Sequence, residues 1–590
     1  MTLMFASPEI HELPLSSPRF MERLERFLAG NGLRYEAMDK YFAVYGEGEE
    51  LLAGAGIKGD VIKCVAVSET CRSEGFTVPV LSRLISDAAA RGITELKVFT
   101  KPEYESIFSS LGFRCIARAP KAILMENGRG LEEYCDYLRS LRRPGRNGVV
   151  VMNANPTTHG HQWLLEDYGW ASDRPVDNLY VIPVKEDLSM FSYQERKHML
   201  ARCALQPDTI LCEGSGYAIS ALTFPTYFLK DLSDAAETQM RLDLDLFGRH
   251  FAPALGVSVR LAGTEPEDPL TARYNELMKE ILPSYNVEVL EVPRYTDEDG
   301  VPYSASRVRK AISAGSLSEA FKTADHSALH FICAELARRA LSMELDARLK
   351  PGLVCPDSCG AHSDMDYTVM QRSISAIRAR FGELFLNIYG KGDIDISYLM
   401  DWGKETERKM LEATGGINTH RGSIFSLGLS LAAAFNVEFQ TELEDGLIVN
   451  PMLLEKEIVR LAGEMEFQNQ SAGGRAHSKY GAKSALQMAR EGYRSLFEDW
   501  LPFYRSLDGD DWRLQKTLLR IMSSLDDTCV IHRVGYERAQ DVKREAAGLI
   551  DNWSIDSLEY ICASYAAEGI SPGGAADMLA LTIFIDSILN

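Results

Sequence analysis

Between residues 148 and 293 the chain alternates short β-branched runs with helical stretches, and beyond about residue 325 those runs stop. "GVVVMN", "NLYVIPV", "TILCEG", "SVRLAG" and "VEVLEVP" read as strands, with "HQWLLEDYGWA" and "YQERKHMLARCAL" as helices between the first of them. Strands separated by crossovers of this length pair in parallel, so residues 146–325 are expected to form a doubly wound α/β domain. Further on, "ALHFICAELARRALSMELDARL", "TVMQRSISAIRARFGELFLNIY" and "LQMAREGYRSLFEDWLPFYRSL" carry only helical periodicity, so residues 326–590 are expected to be all-α. A sheet layered with helices and a helical bundle do not share one core, and 590 residues exceed one core in any case.

Residues 1–145 read as a third, mixed α/β domain. "KYFAVYGEGEELLAGAGIKGDVIKCVAVSETCR" has the short runs and Gly turns of a meander. "TVPVLSRLISDAAARG" is a helix with Gly92 as its C-terminal stop, followed by a strand, a helix and a last strand, "FRCIARA". The basic, Pro/Gly-rich "RSLRRPGRNG" closes this domain, and "KTADHS" marks the second boundary. The net charge of -21 comes without a basic stripe, which argues against a nucleic-acid partner. The 11 cysteines are scattered without a C-x-x-C pair, as expected for free thiols in a reducing cytosol. No leader-like amino terminus and no bilayer-length apolar run is present, so a cytoplasmic protein without a membrane partner is expected.

The stretch "NANPTTHGHQWLLE" follows the first strand of the middle domain, where helix N-termini of a parallel sheet present N–H groups to ligands. Its two histidines suggest a metal clip, but helical spacing pairs His161 with Thr158 and points His159 elsewhere. A hydroxyl and an imidazole beside a helix N-terminus suit the charge that develops on a phosphate under attack, with Asn155, Pro156 and Gly160 shaping the turn. A lone Thr/His pair is more often a simple cap. The companion string "YSASRVRKAI" adds Ser304 as a helix cap, Ser306 as a donor and Arg309 as a phosphate partner. Lys185, in "VIPVKED", reads equally as a phosphate ligand and as a solvated lysine.

These strings resemble known signatures. "NPTTHGH" is similar to the T/H-x-G-H motif of the nucleotidyltransferase superfamily, and "YSASRVR" to its I-S-S-T-x-x-R partner. "VKEDLSMFSYQERKHML", "FPTYFLKD" and "GTEPEDPLTARYN" narrow the resemblance to citrate lyase ligase, whose amino-terminal domain is acetyltransferase-like. There "RSEGFT" resembles a coenzyme A pyrophosphate loop, but Thr77 replaces the final small residue. Recognition of a coenzyme-A-like arm, or a structural role, therefore fits better than use of acetyl-CoA. The resemblance implies that acetate and ATP give acetyl-adenylate. The acetyl group then passes to the prosthetic thiol of the acyl carrier protein of citrate lyase. Thr158 and His161 would be catalytic, with Ser306 and Arg309 holding the departing pyrophosphate.

Four polar strings interrupt the helical part: Lys350 to Asp366, Asn418 to Gly422, Asp526 to Arg533, and Ser571 to Asp577. One such string is usually a capped loop; four in an otherwise plain all-α region point to a shared site. Asp pairs beside Gly-rich turns and basic residues suit a magnesium-triphosphate. "KPGLV…GAHSDM", "GINTHRG", "DDTCVIHR" and "SPGGAAD" resemble, in order, the segments of triphosphoribosyl-dephospho-coenzyme A synthase. The implied reaction joins the ribose 2′-hydroxyl of dephospho-coenzyme A to C1 of the ribose of ATP, expelling adenine. It implies Asp364, Asp366, Asp526 and Asp527 as Mg2+ ligands and His362 and His420 as candidate bases. Lys350, Thr419, Arg421, Gly422, Ser571, Gly573 and Gly574 would bind phosphates. A bifunctional enzyme serving citrate lyase is the leading reading. An adenylyltransferase of a coenzyme A precursor and a non-catalytic nucleotide-binding scaffold for the carrier protein are the alternatives.

Overall fold

The computed structural model describes residues 8–72, 74–167, 176–185, 189–203, 206–217, 232–266, 268–391, 393–436, 449–466 and 479–590. "FPTYFLKD" lies outside them, as does the end of the helix expected from "HQWLLEDYGWA". The chain divides into two compact units. One comprises residues 1–154 and 160–302, the other residues 155–159 and 303–590.

The first unit holds two sheets. Its amino-terminal sheet has seven strands in the order β1-β2-β3-β4-β5-β7-β6. These are β1 (Ile10–Glu12), β2 (Lys40–Tyr45), β3 (Leu51–Lys58), β4 (Val61–Val67), β5 (Leu96–Thr100), β6 (Arg114–Arg118) and β7 (Ile123–Asn127). β2, β3 and β4 form the expected meander, and β4 pairs β5 in parallel through the crossover helix α1 (Thr77–Ala90). That helix buries Val80, Leu81, Leu84 and Ala88, one stripe at helical spacing, and Gly92 takes a left-handed φ of 82° just past its end. "FRCIARA" is not the last strand of this region. It forms a hairpin with β7, after which helix α2 (Gly130–Leu141) leads to the second sheet.

The second sheet consists of five parallel strands in the order β10-β9-β8-β11-β12. They are β8 (Asn147–Met152), β9 (Asn178–Pro183), β10 (Thr209–Leu211), β11 (Val257–Gly263) and β12 (Glu288–Val292). Sequence order reverses at β8, so the switch point of a doubly wound sheet, where its ligands bind, lies at the carboxyl end of that strand. Buried β8 and β9 residues such as Val150, Leu179 and Val181 explain why these runs are continuously apolar rather than alternating.

The described part of the second unit from residue 303 onward contains helices and no extended strands. The first of them is α3 (Ala305–Ala314), and those that line its cavity include α4 (Leu329–Asp346), α5 (Tyr367–Ile388), α6 (Ile396–Thr414), α7 (Arg421–Ala434), α8 (Thr528–Val534) and α9 (Gly573–Leu589). α7 and α9 are apolar or small on nearly every side, as expected of central helices, and they pack on each other. α4 and α5 lie around them, α5 reaching α7 and α4 reaching α9. The string "LQMAREGYRSLFEDWLPFYRSL" does not form one helix, because Gly492 and Tyr493 take φ of 71° and 51° and break it after Arg490. Among the described residues no helix is long and apolar enough to cross a membrane.

Candidate functional site

In the first unit, β8 ends at the switch point on Asn153. Arg196, fully buried in the helix Tyr193–Cys203, donates from one guanidinium nitrogen to the Asn153 carbonyl at 3.0 Å and side chain at 2.6 Å. The same nitrogen reaches the Val184 carbonyl at 2.9 Å, so one arginine ties the carboxyl ends of β8 and β9. Lys185 follows, exposed, with its ammonium 6.0 Å from the centre of the Tyr193 ring. Gly160 and His161 belong to this unit, in the short helix His159–Gln162, and Trp163 beyond it stacks on Tyr295 at 5.2 Å.

Asn155–His159 belongs to the second unit together with "YSASRVR". Ser304 caps α3 as expected, accepting from the Arg307 amide at 3.3 Å, and its hydroxyl lies 3.0 Å from that of Ser306. Arg309 donates to the Asn155 carbonyl at 2.6 Å, and the Thr158 hydroxyl donates to the Tyr303 carbonyl at 3.2 Å. Thr157 and Thr158 are fully buried, and Thr157 meets the Ser327 hydroxyl at 2.9 Å. Burial holds the Arg309 guanidinium below its ordinary pKa, the state of a cation kept where an anion would be welcome. The turn is thus braced by "YSASRVR" through Thr158 and Arg309, and His159 packs its ring edge against Tyr303 at 5.4 Å.

Within the helical unit the four strings converge on one cavity of about 690 Å3. Its wall includes His362, Asp364, Asn418, Thr419, His420, Arg421, Gly422, Asp526, Asp527, Ser571, Gly573 and Gly574. The amino termini of α7 and α9 both open onto it, an arrangement that favours anions. Close packing at this end requires glycine twice. A Cβ on Gly422 would meet an Asp577 carboxylate oxygen at 1.9 Å, and one on Gly352, whose φ is 68°, would meet the Ile570 carbonyl at 1.9 Å.

Two expected ligands are engaged elsewhere. Lys350 is buried and does not line the cavity; its ammonium donates to the Glu344 carbonyl at 2.6 Å and to the Glu344 carboxylate, and Glu344 is the residue on the wall. Asp366 caps α5 by accepting from the Val369 amide at 2.8 Å, also off the wall. Asp527 is on the wall but nearly saturated. It accepts from the Cys529 and Val530 amides at 2.8 and 3.3 Å and from the Ala575 amide at 2.8 Å, joining the first turns of α8 and α9. Asp526 gives one oxygen to Lys543 at 2.7 Å and Gln540 at 3.2 Å, and the ammonium and amide hold its carboxyl below the ordinary value although burial opposes them.

Sequence reading quoted Asp577 without giving it a role. It lies in the second turn of α9, half-buried on the cavity wall, and takes the Ser423 hydroxyl from the first turn of α7. Burial, then the nearby Asp527 and Glu344 charges, push its carboxyl up to about 7 against the help of Ser423. Ser373, in mid-helix on α5, was also missed. Its hydroxyl accepts from Thr419 at 2.7 Å and meets His420 Nδ1 at 2.7 Å.

The two histidines differ. His362 Nε2 is 2.8 Å from the Ser571 hydroxyl, and its Nδ1 is 3.2 Å from Arg533 and 3.7 Å from Asp364. Burial, and then the Arg533 charge, lower its pKa. His420 is enclosed, and burial with the Lys350 charge lowers it to about 3. A histidine ordinarily near 6.5 that stays neutral when folded keeps its full stabilising contribution above 6.5 and loses it as pH falls from there toward 3, by up to about 1.4 kcal/mol per pH unit. His420→Gln, with nothing to titrate, should therefore lose less stability than the wild type between pH 6.5 and 4.5. Urea midpoints at the two pH values test this; equal losses would refute it.

Two family models match this chain. Residues 147–332 match the family model described as "Citrate lyase ligase C-terminal domain", and residues 332–590 the one described as "ATP:dephospho-CoA triphosphoribosyl transferase". The [citrate [pro-3S]-lyase] ligase of Klebsiella pneumoniae is 41% identical over 298 residues, covering 49% of this chain and 85% of that one. Its counterpart from Escherichia coli K12 is 35% identical, covering 56% and 95%. The probable 2-(5′′-triphosphoribosyl)-3′-dephosphocoenzyme-A synthase of Acinetobacter calcoaceticus is 33% identical over 261 residues, covering 42% of this chain and 88% of its own.

Proposed function

This chain belongs to the citrate lyase ligases and, through its helical half, to the triphosphoribosyl-dephospho-coenzyme A synthases, and from that premise we propose how each half works. It is a bifunctional enzyme of citrate lyase maturation. The synthase half joins ATP to dephospho-coenzyme A with release of adenine. The ligase half uses ATP and acetate to acetylate the prosthetic-group thiol on the acyl carrier protein of citrate lyase. The observation that carries the synthase reading is the convergence of four separate strings on one cavity sized for a cofactor.

In the synthase half, the amino termini of α7 and α9, with Arg421, Gly422, Gly573 and Gly574 on the wall, hold the triphosphate. Among the described residues no three His, Cys, Asp or Glu side chains converge as a metal cage. Mg2+ bound to a triphosphate needs only one or two carboxylates, however. Asp526 and Asp364 fit that need, because each lines the cavity with an oxygen not committed to a backbone donor, and the ion would neutralise phosphate charge. Asp527 instead holds two helix starts together. In the reaction the 2′-hydroxyl loses a proton, its oxygen bonds to C1 of the ATP ribose, and the bond from C1 to N9 of adenine breaks. Adenine leaves with a proton. A carboxyl poised near 7 at the cavity wall suits proton exchange at working pH, and Asp577 is assigned that role; His420 lies on the same wall.

In the ligase half, five parallel strands with their switch point at β8 support a nucleotidyltransferase reading for residues 146–325. His161 is assigned to the α-phosphate and Ser306 and Arg309 to the departing pyrophosphate, while Thr158, whose buried hydroxyl donates to the Tyr303 carbonyl, braces the turn. The strand order of the amino-terminal sheet, with β4 and β5 parallel across α1, supports an acetyltransferase-like domain that receives a coenzyme-A-like arm. Incubation with ATP and dephospho-coenzyme A, with chromatography for free adenine, tests the synthase. Pyrophosphate release with and without acetate tests the ligase. Release that does not depend on acetate would favour an adenylyltransferase of a coenzyme A precursor instead.

A further inference from the structure

Arginine only donates hydrogen bonds, so the Arg533 guanidinium 3.2 Å from His362 Nδ1 makes that nitrogen an acceptor. In the neutral ring the proton then sits on Nε2 and is donated to the Ser571 oxygen at 2.8 Å. Ser571 is buried and lines the cavity just before α9, and with its oxygen accepting from His362 it keeps its own proton to donate. Arg533 is anchored as well, pointing its other nitrogen at the carbonyls of Ala361 and Gly569 at 3.4 and 3.5 Å. Three of the four strings are therefore joined through one chain of donors: Arg533 to His362, His362 to Ser571, and Ser571 to whatever enters the cavity.

We infer that Arg533 and His362 are positioning residues that hold Ser571 as a hydrogen-bond donor to a phosphate oxygen of the bound substrate, and that His362 is not the base of the reaction. Both ring nitrogens are committed within this chain, which leaves no lone pair to take a proton from a hydroxyl. Asp364, 3.7 Å from Nδ1, is the charged neighbour on the same loop, and its side chain is 62% exposed. The inference rests on the synthase reading of this cavity.

Glutamine separates the two roles, because its side-chain amide can place an N–H where the Nε2–H of His362 stands but cannot act as a base. His362→Gln should keep kcat/KM for adenine release within about threefold of wild type, and His362→Ala should lose about 10- to 100-fold, the usual cost of removing an orienting partner. A double-mutant cycle with Ser571→Ala gives a second reading. If His362 acts through Ser571, the double variant His362→Ala/Ser571→Ala loses no more than Ser571→Ala alone. Equal losses in His362→Gln and His362→Ala, or additive losses in the cycle, would overturn the inference. Acetate-dependent pyrophosphate release by the same preparations, together with an unchanged thermal unfolding profile, reports that each variant is folded. Absence of adenine release from the wild type would instead sink the synthase reading itself.

Discussion

Asp577→Asn is expected to slow adenine release from ATP and dephospho-coenzyme A by about 10^2- to 10^4-fold, the range of a lost proton-transfer group. The same molecules should release pyrophosphate from ATP and acetate at the wild-type rate. Asparagine keeps the size of the side chain and an oxygen for the Ser423 hydroxyl, so the packing of α9 on α7 survives while the exchangeable proton is gone. The variant should also be more stable than the wild type, and the pH dependence of that gain identifies its cause. A carboxyl raised from 3.8 to about 7 binds its proton more tightly folded than unfolded. The wild type therefore loses stability as pH rises from about 4 to 7 and carries the whole penalty above that. The asparagine variant has no such penalty, so its advantage grows through that window and then stays constant. Urea titrations at pH 4.5 and 8 measure it. A variant that loses adenine release without gaining stability at pH 8 would mean that Asp577 is charged and structural rather than a proton carrier.

What could be read from the sequence divides along a physical line. Period and alternation located the meander, the parallel sheet and the all-α half, because apolar patterning answers to burial and burial decides layers. Hairpin β6–β7 was missed since "AILM" is a short unbroken apolar run after a Pro-containing turn, with no alternation to mark it. Polar strings located the synthase cavity, because loops at helix starts are where charged residues of a helical fold collect. Roles within the strings were not legible. Lys350 looked like a phosphate ligand, but Glu344, six residues upstream near the end of α4, pairs with it in a buried ion pair. Asp366 and Asp527 looked like metal ligands, yet each carries backbone donors at a helix start. Asp577 stands in the second turn of α9, past the glycines that mark the helix start, and Ser373 lies inside α5 with no motif around it. Arg196 shows the reverse. In "YQERKHML" it reads as a solvated helix residue, but it is fully buried because the carbonyl ends of two strands need a donor.

His161→Ala is the second large effect. It should lower acetate-dependent pyrophosphate release by about 10^2- to 10^3-fold, the cost of removing one donor to developing charge, and leave adenine release unchanged. The expectation follows from position. His161 lies in the short helix that follows the carboxyl end of β8, the strand at which the sheet order reverses. Ligands of such sheets collect there because strand ends and helix starts leave N–H groups unpaired toward solvent. His159, two residues earlier, packs its ring edge against Tyr303 and should tolerate alanine with a loss of no more than about tenfold, as for a supporting contact. The contrast between the two variants decides how "HGH" is to be read. A metal clip would need both histidines and would lose activity equally from either, whereas a phosphate turn needs only the second. Retention of pyrophosphate release in His161→Ala to within threefold of wild type would remove this residue from the chemistry and, with it, the assignment of the switch point as the ligase site.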